Sequence, residues 1–119
     1  MNRIYHFSQV VLDHKIEAVV QTMDMGMQVT VTGGDKTHVG AVGIIDNEGN
    51  EKIITFPGHK ETVICNQWGQ VLYNCFKVPV VVTAGIHYDS ISQETIQQVL
   101  QSCSFLLEQI KSSICKDIS

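Results

Sequence analysis

Charge is what this sequence is short of. Only 17% of its 119 residues are Asp, Glu, Lys or Arg; eight are basic, and the formal net charge is -4. Nucleic-acid phosphates and anionic membrane surfaces both call for a clustered basic footprint, so neither partner is expected. A surface this poor in charge points instead to a face buried in a homo-oligomer. No apolar run approaches the roughly 20 residues of a membrane-spanning helix. Met1-Asn2-Arg3-Ile4-Tyr5-His6 lacks the apolar core of a signal peptide, and a cytoplasmic protein is expected. Cys65, Cys75, Cys103 and Cys115 form no C-x-x-C pair and read as small apolar side chains in a reducing compartment. There is no H-E-x-x-H and no G-x-S-x-G, and Cys65 falls inside a helical pattern rather than at its start. Zinc hydrolysis and nucleophilic catalysis therefore find no support.

No repeat, linker or low-complexity stretch divides the chain, so residues 1–119 are expected to fold as a single α+β domain around one core. Residues 4–12 are rich in β-branched and aromatic types, and 16–23 alternate apolar with polar, with Asp13-His14-Lys15 as the turn between them. After Asp24-Met25-Gly26, Met27, Val29 and Val31 share one strand face and Gln28, Thr30 and Thr32 the other. Residues 38–46 and 52–56 read as a hairpin around Asn47-Glu48-Gly49-Asn50. From His59 or Lys60 to Phe76 the period changes to three and four, as in an amphipathic helix. Gly69 inside it predicts close packing. Pro79 to Ala84 is nearly continuous apolar β, as in a central strand covered on both faces. Ser92 is the expected N-cap of a last helix running to near the C-terminus, with Ile91 and Ile96 as its staple. The order is β-β-β-β-β-α-β-α, a mostly antiparallel sheet of about six strands with two amphipathic helices.

Three polar, glycine-bearing stretches stand between these elements: Thr32 to Gly40, Pro57-Gly58-His59-Lys60, and Gly85-Ile86-His87-Tyr88-Asp89. If 38–46 and 52–56 pair as a hairpin, the first two stretches share one sheet edge. A crossover through the first helix makes 79–84 parallel to 52–56, which brings the third stretch to the same edge. The N-terminus of a helix beginning near His59 favours an anion there, with Lys36 and Lys60 as point charges and His38, His59 and His87 as donors. Val and Ile side chains of the adjoining strands would form an apolar wall. The candidate ligand-binding residues are thus Gly33, Gly34, Asp35, Lys36, His38 and Gly40; Gly58, His59 and Lys60; and Gly85, His87 and Asp89.

Plainer readings exist for each stretch: Gly33-Gly34 as a hairpin turn, Pro57-Gly58 as a strand-to-helix junction, His87-Tyr88-Asp89 as a helix cap. Three histidines raise a metal site, but they match no compact ligand spacing and interleaved lysines repel a cation, so no metal is expected. Three functions stay open. One is a binding protein for a phosphate-bearing ligand. A second is a small lyase or decarboxylase subunit with His38, His87 or Asp35 in acid–base work. The third is a structural assembly factor that takes no ligand.

The residues Gly33-Gly34-Asp35-Lys36-Thr37-His38-Val39-Gly40-Ala41-Val42, Pro57-Gly58-His59-Lys60-Glu61 and Val82-Thr83-Ala84-Gly85-Ile86-His87-Tyr88-Asp89 carry a resemblance. The pattern, from about Met27 to Ile110, resembles the LpdD-like family of prenylated-flavin chaperones that accompany UbiD-type aromatic-acid decarboxylases such as gallate decarboxylase. That resemblance implies a fold like the proteasome-assembly chaperones, an oligomer, and an accessory role in handling prenylated FMN rather than decarboxylation itself. It also implies binding roles for the loop residues. The family pattern often carries Pro where this chain has Thr37, so this loop is less rigid than the pattern implies.

Overall fold

The computed structural model describes residues 2–57 and 61–118. Among them run β1 (Arg3–Val11), β2 (His14–Met23), β3 (Gly26–Gly34), β4 (Ala41–Ile45), β5 (Glu51–Thr55), α1 (Thr62–Phe76), β6 (Val80–His87) and α2 (Gln93–Ile118), in the expected order. The six strands make one sheet in the spatial order β1-β2-β3-β6-β4-β5. Neighbours are antiparallel except β3 and β6, which are parallel from Met27↔Val80 to Gly34↔His87. That parallel pair follows from the long return through α1, which inserts the most apolar strand between two strands already made. The sheet is therefore mixed, and β6 is central as its composition required.

Alternation sorts the sheet into two faces. Val20, Val29, Val82 and Gly43 lie in register on one face, and Ala18, Val31, Ala84 and Ala41 in the next row, all buried. Both helices cover this face. In α1 the buried Ile64, Cys65, Trp68, Gly69 and Leu72 repeat at three and four residues, and Gly69 lets the helix descend onto Ile45 and Val82. In α2 the stripe Val99, Cys103, Leu106, Leu107, Ile110 and Ile114 is buried over β1 and β2. The opposite face carries no helix among the described residues. Val81 and Thr83 are accordingly only half-buried, and β6 is not covered on both faces as its apolar run implies.

Local chemistry sets the connections. The β4–β5 hairpin closes on Asp46, whose carboxylate accepts the N–H groups of Glu48 and Asn50 at 2.9 Å each, with Gly49 at φ 87. The first hairpin turns at Leu12-Asp13, with φ 50 and 64, so His14 and Lys15 belong to β2 rather than to the turn. Such paired left-handed residues match the twist of a two-residue hairpin, but Leu is an uncommon choice for one. Ser92 caps α2, its Oγ accepting the Thr95 N–H at 3.1 Å.

Candidate ligand-binding site

The carboxyl ends of β3 and β6 and the start of β4 form one rim, and backbone hydrogen bonds lace it together. Asp35 N–H donates to the His87 carbonyl at 2.7 Å, Gly40 N–H to the Ala84 carbonyl at 2.8 Å, and Phe56 N–H to the Gly40 carbonyl at 2.8 Å. Residues 35–40 therefore cross over the end of β6, bringing the first and third stretches into direct contact. Gly58, His59 and Lys60 lie outside the described residues; Glu61, which follows them, sits against Gly40 at this rim.

Two glycine signals prove to be strand signals. Gly33 and Gly34 are the last residues of β3, and Gly85, Ile86 and His87 the last of β6. Gly34 has φ 87, where a side chain would run into the His87 carbonyl, and a Cβ on Gly85 would occupy the space of the His38 carbonyl. Close backbone approach, rather than a reversing turn, is what these glycines serve.

Three histidines on the rim each face a carboxylate. His14 Nε2 lies 2.6 Å from Asp35 Oδ1, His38 Nε2 3.3 Å from Glu61 Oε2, and His87 Nε2 2.9 Å from Asp89 Oδ1. The other oxygen of Asp35 accepts the Asp89 N–H at 2.6 Å. The His38 and His87 rings meet edge to face, with centroids 6.2 Å apart. His14 and Glu61 were not among the candidate ligand-binding residues read from the sequence, because β2 and the helix start bring them in from elsewhere. Glu61 also changes the expected electrostatics. It is the N-cap of α1, which starts at Thr62 rather than near His59, and among the described residues no side chain caps that end. Its carboxylate, only 10% exposed, stands at the helix terminus where an external anion was expected. Lys36 is exposed on the outer turn.

Behind His87 opens a cavity of about 450 Å³. Glu61, Val63 and Ile64 of the α1 start form one wall, Ile86, His87 and Tyr88 the floor, and Ile91, Ile96, Val99 and Leu100 the other wall. Its apolar surface thus comes largely from the two helix starts and only through Ile86 from the sheet, unlike the strand-built wall expected. Ile91 and Ile96, the expected staple, line it together. Tyr88 is buried; its hydroxyl donates to the Val11 carbonyl at 2.8 Å, and desolvation, helped by the Asp35 charge, pushes its pKa up. It acts as a neutral anchor at neutral pH. Among the described residues no group of three or more His, Cys, Asp and Glu is placed to hold a metal ion. Nor, among the described residues, is any helix long and apolar enough to cross a membrane.

A model of the prenylated flavin chaperone LpdD-like domain matches residues 11–115. The chain is 24% identical to Protein LpdD of Lactiplantibacillus plantarum over 104 residues, which span 83% of this chain and 76% of that protein. Among solved structures, a chain of a chaperone complex for yeast 20S proteasome assembly superposes with a TM-score of 0.57. At 11% identity over 92% of this chain and 96% of that one, the likeness is one of fold.

Proposed function

The chain belongs to the prenylated flavin chaperone LpdD-like family, and from that premise we propose that it binds prenylated FMN at the rim and hands it to a UbiD-type decarboxylase. The observation that carries this reading is the cavity of about 450 Å³, apolar on its walls and polar where the buried Glu61 and the exposed His87 line it. Its size suits a small organic ligand, and hydrocarbon walls suit a flavin whose ring system has gained a prenyl group. The phosphate would pair with the exposed Lys36, and the sequence offers His59 and Lys60 as further donors to it. Gly33, Gly34, Gly40, Gly58 and Gly85 would shape the backbone around the ligand, while Asp35, His38, His87 and Asp89 set polar contacts at the mouth. The chain's work is to hold, orient and shield the cofactor; the chemistry belongs to the flavin once it reaches the decarboxylase.

The test is a binding titration of prenylated FMN followed by flavin fluorescence. Val99→Trp, which fills the cavity, is expected to weaken binding at least tenfold, on the scale of a lost pocket contact. Lys60→Ala and His59→Ala are expected to weaken the phosphorylated flavin selectively over its dephosphorylated form. Equal affinity in parent and all three folded variants removes the proposal. Delivery is checked by mixing the loaded protein with apo-decarboxylase and following gain of activity.

One observation favours a second reading. His87, held by Asp89 and lining the cavity, has the geometry of an oriented acid–base group. Turnover of a small aromatic acid by the isolated protein, abolished in His87→Ala, would establish it. Absence of turnover without a larger partner counts against it.

A further inference from the structure

The first hairpin reaches the cavity through one carboxylate. Continuing the β2–β3 register by two residues beyond Ile16↔Gly33 sets His14 opposite Asp35, on the sheet face of the buried Ile16 and Ala18. Asp35 is tied on three sides. Its Oδ1 lies 2.6 Å from His14 Nε2, its Oδ2 accepts the Asp89 N–H at 2.6 Å, and its own N–H donates to the His87 carbonyl at 2.7 Å. The last two bonds bracket Tyr88, which with His87 floors the cavity, and the bracketed segment leads directly to Ile91 in its wall. Neither His14 nor Asp35 lines the cavity. Whatever they do for a ligand they do through residues 87–89.

We propose that His14 and Asp35 are positioning residues of the cavity, a latch in which protonated His14 holds Asp35 tightly on the 87–89 segment and loss of that proton loosens the floor and speeds ligand release. The latch rests on the reading of this cavity as the ligand site. A bond from imidazolium to carboxylate is charge-assisted, whereas neutral imidazole donates without the attraction of opposite charges. Histidine exchanges the two forms between about pH 5 and 8, and His14, 44% exposed, is open to solvent protons. The charges around it favour the protonated form's grip. Asp35 faces His14 from the 35–40 segment with Lys36 beside it in sequence, and Asp89 stands behind Asp35, itself met by His87 Nε2 at 2.9 Å. Asp13 and Lys15, of opposite sign, flank His14 on its own hairpin. Tyr88, whose ring meets the His14 ring edge to face with centroids 6.0 Å apart, is kept neutral by burial. From α2, the residues that share a groove with Leu12 are Gln98, Gln101, Ser102 and Phe105, none of them charged. His6 and Glu17 form a pair of the same 2.6 Å length, but between β1 and β2 and with no bond to the cavity segment. What sets the His14 pair apart is the further reach of Asp35.

Stopped-flow release of prenylated FMN from the full chain, followed across the pH range in which histidine titrates, tests this. In the parent, release is expected to quicken about fivefold between the acidic and basic ends of that range, the step from a charge-assisted to a neutral hydrogen bond. His14→Gln, whose amide donates to Asp35 at every pH, is expected to bind but to lose that dependence. His14→Ala is expected to release the flavin at the acidic end at least as fast as the parent does at the basic end. His6→Gln, which alters the pair with Glu17, is expected to keep the parent's profile. A flat profile in the parent overturns the proposal, as does a His14→Gln profile as steep as the parent's or a His6→Gln profile flattened to the same extent. A measurement without ligand separates the latch from the flavin reading. Amide hydrogen exchange over residues 86–90 at the acidic end is expected to quicken about fivefold in folded His14→Ala and Asp35→Ala. Unchanged exchange in both overturns the latch whatever the flavin does. Quickened exchange in a protein that takes up no prenylated FMN upholds the latch and removes the flavin reading.

Discussion

Gly85 is the residue on which the rim turns. The His38 carbonyl lies where its Cβ would be, and the neighbouring hydrogen bond from Gly40 to Ala84 holds the 35–40 segment in place. Gly85→Ala must push that segment off β6. Overpacking of this kind costs about 2 kcal/mol, a fall in melting temperature of roughly 8 °C for a chain of this length, measurable by calorimetry, and flavin binding is expected to weaken with it. Tyr88→Phe gives a contrasting result. Loss of the buried hydroxyl leaves the Val11 carbonyl without its 2.8 Å donor, for about 1 kcal/mol in urea unfolding, with ligand affinity unchanged because the hydroxyl points away towards the first hairpin. Asp46 sets a pH dependence. Backbone N–H groups of Asn50 and Glu48 hold its carboxyl below its ordinary 3.8. A folded-state pKa depressed in this way contributes stability that is present above pH ~4 and lost as pH falls through the folded value. Asp46→Asn is therefore expected to be less stable than the parent at pH 7, the gap closing as pH falls below the ordinary carboxyl value of 3.8 in urea titrations at successive pH values.

At the scale of elements, the helix starts matter most. α2 begins on a side-chain cap, and Ser92→Ala is expected to cost about 1 kcal/mol, read as a shift in urea midpoint. Because Ile91, Ile96, Val99 and Leu100 hang from this start and line the cavity, the same variant is expected to loosen ligand binding. α1 begins with a buried glutamate and no cap, an arrangement that local stability alone would not select. The alternating and three-four patterns were legible because each reports one element against one core: Met27, Val29 and Val31 in β3, or Ile96 to Ile114 in α2. The boundaries at Gly33-Gly34 and Gly85 were not. Glycine marks both a reversing turn and a close backbone crossing, and only the parallel pairing of β3 with β6 distinguishes them. The first turn, expected at Asp13-His14-Lys15, lies one residue earlier at Leu12-Asp13 for the opposite reason, since Leu does not advertise a left-handed turn.

Over the whole molecule, the four cysteines divide by layer. Cys65 and Cys103 lie between sheet and helices, and burial pushes their thiols up to about 11 and about 12, whereas Cys75 and Cys115 are exposed. A thiol reagent at pH 8 is expected to label Cys75 and Cys115 in the folded protein and all four cysteines in urea. Rapid labelling of Cys65 or Cys103 without denaturant would mean that the helix layer opens. The sequence by itself determined the order of elements, the central place of β6, the hairpin turn at 47–50 and the Ser92 cap, and the meeting of the first and third loops at one edge. These rest on periodicity, short-range hydrogen bonding and the rules of chain connection. The tertiary structure alone decided that His14 faces Asp35, that His38 faces Glu61, and that the cavity is walled by helix starts rather than strands. Such pairings join residues 21 or more positions apart through sheet register and layer packing, and no local pattern encodes them.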